Sequence, residues 1–538
     1  MTPMPLPDEL AVLQQALAEA LRLRDEAARE KEQLLGELRV TRTERDLLKE
    51  QLNQFKRQLF AAKSEASGLH QKDMFFNEAE TEGVKAEPTV EENKADVVEV
   101  PAHKRSKRGR KPLDPALPRE VVRHELPEAE RVCPQDGAAL REIGVEVSEQ
   151  LDIVPQQVRV IRHERVKYAC PCCDGGLRLA TKPAQVIPKG LFTEAALAWV
   201  ITSKYLDGLP LYRQAALLGR FGGTDTSRNT LAASVVRVGQ AVQPIVNLLR
   251  DALLEAPVVH GDETEVQVLK EPGRAAQAKS YMWVQMTERS GSTGTGPPIR
   301  LFAYSPSRST QAVRPLYAGM RAGGVLMTDG YEPYNAVATE HQLVHLGCWA
   351  HCRRYFNDAL QALPKDKRGP EQLAARFIEL IGRLYRVEAD ARDAKLDAEA
   401  KHRSRQERSV PVLAQIEALL LEHLHGVLPG SLLGKALHYL ASQWPKLRRY
   451  VDDGRCPIDN NACENAIRPF VIGRRNWLFA DTVPGATASA NLYSLLQTCI
   501  ANGIDGYRYL RALLIALPRA TTADDYEALL PWRIKLDQ

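Results

Sequence analysis

Apolar residues recur at alternating steps of three and four from Leu10 through Leu13, Leu17, Ala20, Ala27, Leu34, Leu38, Leu48, Leu52 and Phe55 to Leu59. No proline follows Pro7 in this run, and a 3.5-residue period predicts a coiled coil over 8–65. Arg24, Lys31 and Arg45 fall on its seam, where polar residues weaken packing and fix register. The pattern lapses over 66–102. Within it, 78–99 holds eight acids against two lysines, the composition of a disordered linker. Helical spacing returns over 190–245, where 211–218 and 227–238 flank a glycine-containing turn in helix-turn-helix proportions. Apolar runs then predict strands at 257–269, 280–287 and 299–304, a helix near 310–320, and a fourth strand ending at Asp329. Residues 348–450 are rich in Leu, Ala, Arg and Glu at helical spacing. They read as a helical insertion, about 357–450, within a body spanning 250–480. A helical region, 485–538, closes the chain.

Charge adds local information. The net charge is only +4, so any polyanion-binding surface must be confined to a segment. Lys104, Arg105, Lys107, Arg108, Arg110 and Lys111 crowd around Gly109, and 103–120 reads as a basic DNA-binding segment able to lie along a minor groove. Cys133 and the group Cys170, Cys172 and Cys173 form two knuckles about 37 residues apart. They mark 121–185 as a small zinc-finger-like domain, with Cys133, Asp136, Cys170 and Cys173 as Zn²⁺ ligands and His163 as an alternative. Asp136 stands where a second cysteine of the first knuckle would fall. Nine cysteines without a regular disulfide framework suit a reduced cytosol. No apolar stretch approaches the roughly 20 residues that span a bilayer, and no signal-peptide pattern opens the chain. The expectation is a cytoplasmic, nucleoid-associated protein with no membrane partner.

Three acids carry the chemistry. Asp262 and Asp329 each close an apolar strand, in Val-Val-His-Gly-Asp-Glu-Thr and Val-Leu-Met-Thr-Asp-Gly-Tyr. Glu464 lies in Asp-Asn-Asn-Ala-Cys-Glu-Asn-Ala-Ile-Arg-Pro on a predicted helix, where Asn461, Glu464 and Arg468 share a face. Each alone reads as a turn or cap residue. Gathered at one sheet edge, three carboxylates repel unless hard divalent cations bind between them, and Mg²⁺ prefers such oxygens. Two such ions serve in-line phosphodiester chemistry. Acids on strand one, after strand four and on a late helix resemble the plan of the ribonuclease-H-like nucleases. Around them, Arg353, Arg354, Arg468, Arg474 and Arg475 are candidate phosphate contacts, and Arg228 and Asn229 open the second helix of the helical pair. Trp477 reads equally as a base-stacking or a core residue. Cys348, His351 and Cys352 have ligand-like spacing but no fourth ligand nearby, and read as packing or phosphate-contact residues.

Longer strings carry a resemblance. "TDGYEPYN" (328–335), "HLGCWAHCRRYF" (345–356), "IDNNACENAIRPFVIGRRNWLF" (458–479), "LYSLLQTCIANGIDGYRYL" (492–510) and "LLPW" (529–532) are similar to the insertion sequence 66 family of bacterial transposases, from about residue 35 to the C-terminus. Asn465 departs from it, standing where the family usually has Arg. The resemblance implies a DDE transposase with Asp262, Asp329 and Glu464 as the triad. Two Mg²⁺ ions, with Mn²⁺ as a substitute, would support strand cleavage and strand transfer at element ends. It also implies a zinc-binding domain and small companion transposition proteins.

The expected fold is multidomain α/β: a ribonuclease-H-like catalytic domain with a large helical insertion, preceded by the coiled coil and the cysteine-containing domain. The coiled coil predicts a homo-oligomer. The competing readings are a catalytically inactive DNA-binding regulator, a scaffold, and a nuclease without strand transfer.

Overall fold

The computed structural model describes residues 15, 17–19, 21–27, 29–31, 33–34, 158–168, 178–222, 226–288 and 296–536. The chain divides into two units, Met1–Ala86 with Glu164–Ala216 and Thr226–Gln538, and Glu87–His163 with Leu217–Asp225. Of the second, 158–163 and 217–222 are described, so the account below concerns the first. The described positions of 15–34 are helical, and Leu17, Leu21, Leu23 and Leu34 are exposed. The remainder of the predicted coiled coil lies outside the described residues. So do the acidic linker (66–102) and the basic segment (103–120) with Lys104, Arg105, Lys107, Arg108, Arg110 and Lys111. Cys133, Asp136, Cys170 and Cys173 of the cysteine module lie outside them as well.

The order is β1 (Lys167–Tyr168), β2 (Arg178–Leu179), α1 (Glu194–Tyr205), α2 (Leu211–Gly222), α3 (Arg228–Ala241), α4 (Gln243–Leu254), β3 (Val258–Lys270), β4 (Lys279–Thr287) and β5 (Ile299–Ser305). Then come α5 (Thr310–Tyr317), β6 (Val325–Met327), α6 (Pro333–Glu340), β7 (Val344–Leu346), α7 (Trp349–Ala362), α8 (Leu373–Asp393), α9 (Ala398–His423) and α10 (Leu432–Leu447). α11 (Asn461–Trp477), β8 (Ala480–Thr482), α12 (Val483–Ala501), α13 (Gly506–Ala516) and α14 (Ala523–Glu527) complete it. Among the described residues no helix is long and apolar enough to cross a membrane.

The sheet is mixed, in the order β5-β4-β3-β6-β7, with β8 beside the far end of β3. β4 runs antiparallel to both β3 and β5, while β6 and β7 run parallel to β3. The three long strands fall where the apolar runs predict them. The short β7 was not foreseen, because three residues carry too little periodicity. The helix predicted near 310–320 stops at Tyr317, since Ala318 is extended and Gly319 takes φ +96°.

α12 covers the outer edge of β5, which would otherwise expose unpaired backbone groups. Ser494 Oγ accepts from Phe302 N (2.8 Å), and Thr498 Oγ1 accepts from Arg300 N (3.1 Å). Helices α7 to α10 form the insertion. Their apolar faces bury Trp349, Phe356, Phe377, Ile381, Leu384, Ile416, Leu437 and Leu440 in one core that continues into Met327 and Leu346 of the sheet. The Phe356 and Phe377 rings stack at 4.4 Å. Each such side chain contributes about 1.5–3 kcal/mol on burial, so the insertion is a second core fused to the end of the sheet.

Candidate functional site

The site begins with strand register. β3 and β6 are parallel neighbours, with Val259 opposite Leu326 and His260 opposite Met327. Asp262 lies two residues beyond His260 on β3, and Asp329 lies two residues beyond Met327, just past the end of β6. β6 ends at Met327. Asp329 Oδ1 then accepts from Tyr331 N (2.9 Å), and Gly330 supplies the φ of +96° that the turn needs. Tyr439 of α10 donates its hydroxyl to the Asp329 carbonyl (2.8 Å), tying the insertion to this turn.

The start of α11 is fastened to β3. Asn460 Nδ2 donates to the Gly261 carbonyl (3.0 Å), which leaves Asn460 Oδ1 to accept from His260 Nδ1 (3.0 Å). Burial pushes the His260 imidazole down to about 4, so it serves as a neutral donor. The Asn460 backbone N–H points to Cys348 Sγ (3.3 Å). Asn461 caps itself on Asp459, which also accepts from Tyr385 Oη of the insertion (2.7 Å). Glu464 follows one turn later and faces α7. Its Oε1 lies 3.6 Å from His351 Nδ1 and its Oε2 lies 3.5 Å from Arg354.

The electrostatics join these pieces. The Asp262 carboxyl is held well above the usual carboxylate range, first by burial and then by Glu263, Asp329 and Glu464. The three acids singled out in the sequence are therefore within Coulombic reach of one another. Asp262 Oδ1 accepts one backbone bond, from Glu263 N (2.8 Å). Glu263 is treated differently: its Oε1 accepts from Arg308 Nε (2.6 Å) and its Oε2 from Tyr334 Oη (2.7 Å). Both of its oxygens are occupied, so it reads as support for Asp262. Burial is also the main force lowering the His351 imidazole, which Glu464 partly opposes.

The arginines divide. Arg354 is half-exposed beside Glu464. Arg353, next to it, is 5% exposed and turned inward with Trp349, Cys352 and Phe356. The expectation that Arg353 contacts phosphate is corrected, because helical phase puts it on the core face of α7. Arg474 donates to Thr264 Oγ1 (3.3 Å), two residues beyond Asp262, while Arg475 is exposed and Arg468 is half-buried on α11. Arg228 and Asn229 are exposed in the first turn of α3, behind the Ser227 cap. Trp477 is half-buried. It packs edge-on to Tyr205 (6.1 Å between centroids) and near Tyr493, with Lys204 Nζ 4.1 Å from its ring centre. His163 is exposed.

The residues fit a metal. Accumulated carboxylates that raise the Asp262 carboxyl form a hard-oxygen donor set suited to Mg²⁺. Cys348 Sγ, His351 and Glu464 also bring ligand atoms within 4.8 Å of one another. Cys348 and His351 had no further ligand near them in the chain, because the third donor of the cluster lies on α11. Cys352 belongs wholly to the insertion core.

A mixed α/β body with a carboxylate cluster at a parallel strand pair defines a protein with a metal-competent acidic site. The chain belongs to the "Transposase IS66 family", whose model matches residues 189–488. Companion models match at 130–174 ("zinc-finger binding domain of transposase IS66"), 47–122 ("Transposase C of IS166 homeodomain") and 494–532 ("IS66 C-terminal element"). Among curated relatives, the chain is 35% identical to the uncharacterized protein y4qI of Sinorhizobium fredii (strain NBRC 101917 / NGR234), over 80% of each chain. It is 33% identical to y4jD of the same organism, over 78% of this chain and 82% of that one. A third relative there, y4hP, is 27% identical over 90% of this chain and 88% of its own. The chain is thus of the transposase class, with a zinc-finger domain and a leucine-zipper-like region.

Proposed function

We propose that this transposase is a DDE enzyme with a ribonuclease-H-like catalytic domain. It cleaves DNA at the ends of its element and joins the freed 3′ hydroxyl to target DNA. The observation that carries the reading is the Asp262 carboxyl, buried on the strand beside β6 and raised by both Asp329 and Glu464. These three side chains would hold the Mg²⁺ ions, with Mn²⁺ as a substitute. When bound, such ions supply activation of the attacking water and neutralisation of the leaving oxygen. The protein's own groups then do the positioning. Glu263, locked by Arg308 and Tyr334, keeps β3 straight behind Asp262. The Gly330 turn and Tyr439 fix the Asp329 backbone. Asn460 and His260 set where α11 delivers Glu464. Arg354 and Arg474 offer guanidinium forks for the phosphates on either side of the scissile bond.

Element DNA would be held by the basic segment 103–120, by the cysteine module that zinc at Cys133, Asp136, Cys170 and Cys173 would clip together, and by the exposed start of α3 at Arg228 and Asn229. Leu17, Leu21 and Leu34, exposed in the single chain, favour pairing of 8–65 with a second copy. The test is a duplex carrying the element end, incubated with the full chain with and without Mg²⁺. Mg²⁺-dependent release of a 3′ hydroxyl, followed by its joining to a second duplex, is expected. Tight binding of that duplex without any metal-dependent cleavage would replace this reading with a DNA-binding regulator. Cleavage without joining would reduce it to a nuclease.

A further inference from the structure

Glu464 and His351 stand in an arrangement that the carboxylate triad alone does not explain. His351 Nδ1 and Glu464 Oε1 face each other at 3.6 Å. That is too long for a hydrogen bond. Both atoms are buried, and neither has a hydrogen-bond partner among the described residues. Buried polar atoms in native structures are nearly always paired, so two facing each other unpaired point to a missing third party. Two donors bound side by side on one octahedral ion, at about 2.1–2.2 Å each, lie about 3.0–3.1 Å apart. The 3.6 Å between the two atoms would close to that by a small side-chain shift. The second carboxylate oxygen is engaged separately by Arg354, one turn further along α7 on the same face as His351. The helix thus presents a nitrogen donor to one oxygen of Glu464 and a cation to the other.

We propose that His351 is a metal ligand, binding through Nδ1 the same divalent ion as Glu464. This gives the acidic site a nitrogen donor and a preference for Mn²⁺ over Mg²⁺. The inference rests on the reading of Glu464 as a metal-holding carboxylate. Its chemical basis is donor type: Mg²⁺ favours all-oxygen shells, whereas imidazole suits first-row transition ions. Cys348 Sγ lies within the same 4.8 Å cluster. It already receives the Asn460 N–H, so it lines the pocket on the side away from solvent. α7 places the imidazole because Trp349, Cys352 and Phe356 anchor its opposite face in the insertion core. The helical insertion therefore contributes a ligand, in addition to bracing the sheet.

The test is Mn²⁺ titrated into the full chain without DNA, followed by electron paramagnetic resonance, with pulsed measurements that report nitrogen bound to Mn²⁺. The parent should show nitrogen coupling and bind Mn²⁺ more tightly than Mg²⁺. His351→Ala should lose the coupling and bind Mn²⁺ at least about tenfold more weakly. His351→Asn, which keeps a polar group of similar reach, should recover part of the affinity without the coupling. Melting without metal checks that each variant folds. Absence of nitrogen coupling in the parent, or its survival in both variants, overturns the proposal. Glu464→Gln separates the two levels. If it abolishes Mn²⁺ binding while the His351 variants bind like the parent, the ligand role of His351 fails and the carboxylate reading stands. If Asp262→Asn and Glu464→Gln both bind Mn²⁺ like the parent, the carboxylate reading fails as well.

Discussion

The helical insertion and the acidic sheet edge bury charge in opposite ways. In the insertion, Arg405 is fully buried and uses all five of its N–H donors. Nε and Nη2 grip the Glu388 carboxylate (2.8 Å each), Nη1 reaches the carbonyls of Tyr450 (2.6 Å) and Asp453 (2.8 Å), and Nη2 also reaches Cys456 (2.9 Å). Glu388 is held below its usual range once Arg405 and Lys401 overcome its burial. At the acidic end of the sheet no cation among the described residues offsets the burial of Asp262, and its neighbours Glu263, Asp329 and Glu464 raise its carboxyl further. A matched buried charge offsets much of its desolvation cost through its partner, and the structure suffers when that partner is removed. An unmatched cluster is strain that a ligand can relieve. The first region therefore reads as scaffold and the second as a binding site. They are linked, because the segment Arg405 grips (450–456) leads into Asn460 and α11.

The largest effect that sharpens this contrast is Asp329→Asn. The amide keeps the carboxylate's shape and removes its charge. Mg²⁺-dependent cleavage of the element end should fall by orders of magnitude. Melting without divalent ions should be unchanged or slightly raised, because one of several mutually repelling acids is gone. A collapsed melting temperature would make Asp329 structural and erase the distinction between the regions.

Arg405→Ala should do the reverse. It strands Glu388 in the core, and a loss of about 3–5 kcal/mol is expected, measured by thermal or urea melting. Cleavage should drop with it, and metal affinity should weaken as α11 loses its anchor. Melting like that of the parent would show that the five-donor clamp is dispensable.

The regions should also differ in the sign of their pH dependence. Asp262 has a raised folded pKa, so the native state binds its proton more tightly than the unfolded chain does. Its contribution worsens as pH rises from the ordinary carboxyl range, about 3.9, through the raised value. Glu388 has a lowered folded pKa. Its contribution is present above about 4.3 and is lost as pH falls through the lowered value. In buffer without divalent ions, Asp262→Asn should therefore gain on the parent progressively as pH rises above about 4, and added Mg²⁺ should narrow the gap. A pH-independent difference in melting would remove Asp262 from the repulsive cluster.

How far the sequence reached follows from the same contrast. Asp262 and Asp329 were singled out because each follows an apolar run, and the parallel pairing of β3 with β6 puts those two runs side by side. The meeting of Glu464 with His351 and Arg354 was not legible. It spans some 110 residues of chain, and the packing of α7 on the insertion core decides it. Arg353 shows a readable signal that was missed. Trp349, Cys352 and Phe356 mark the core face of α7, and Arg353 lies on that stripe while Arg354 lies off it.

The smallest expected effect tests the seam between the regions. Tyr439 stacks on Tyr355 (4.6 Å between centroids) and donates its hydroxyl to the Asp329 carbonyl. Tyr439→Phe keeps the stacked ring and deletes one hydrogen bond, leaving a half-buried carbonyl without that donor. The stability cost should be about 1 kcal/mol. If the insertion holds the Gly330 turn in place for Asp329, cleavage should fall several-fold while binding of the element-end duplex stays at the parent level. The deletion frees the turn that aims the carboxylate and leaves its charge intact, so excess Mg²⁺ should recover part of the lost rate, which it cannot do for Asp329→Asn. Parental cleavage at every Mg²⁺ concentration would mean that α10 only packs beside the site, and that the two regions share a boundary without sharing a task.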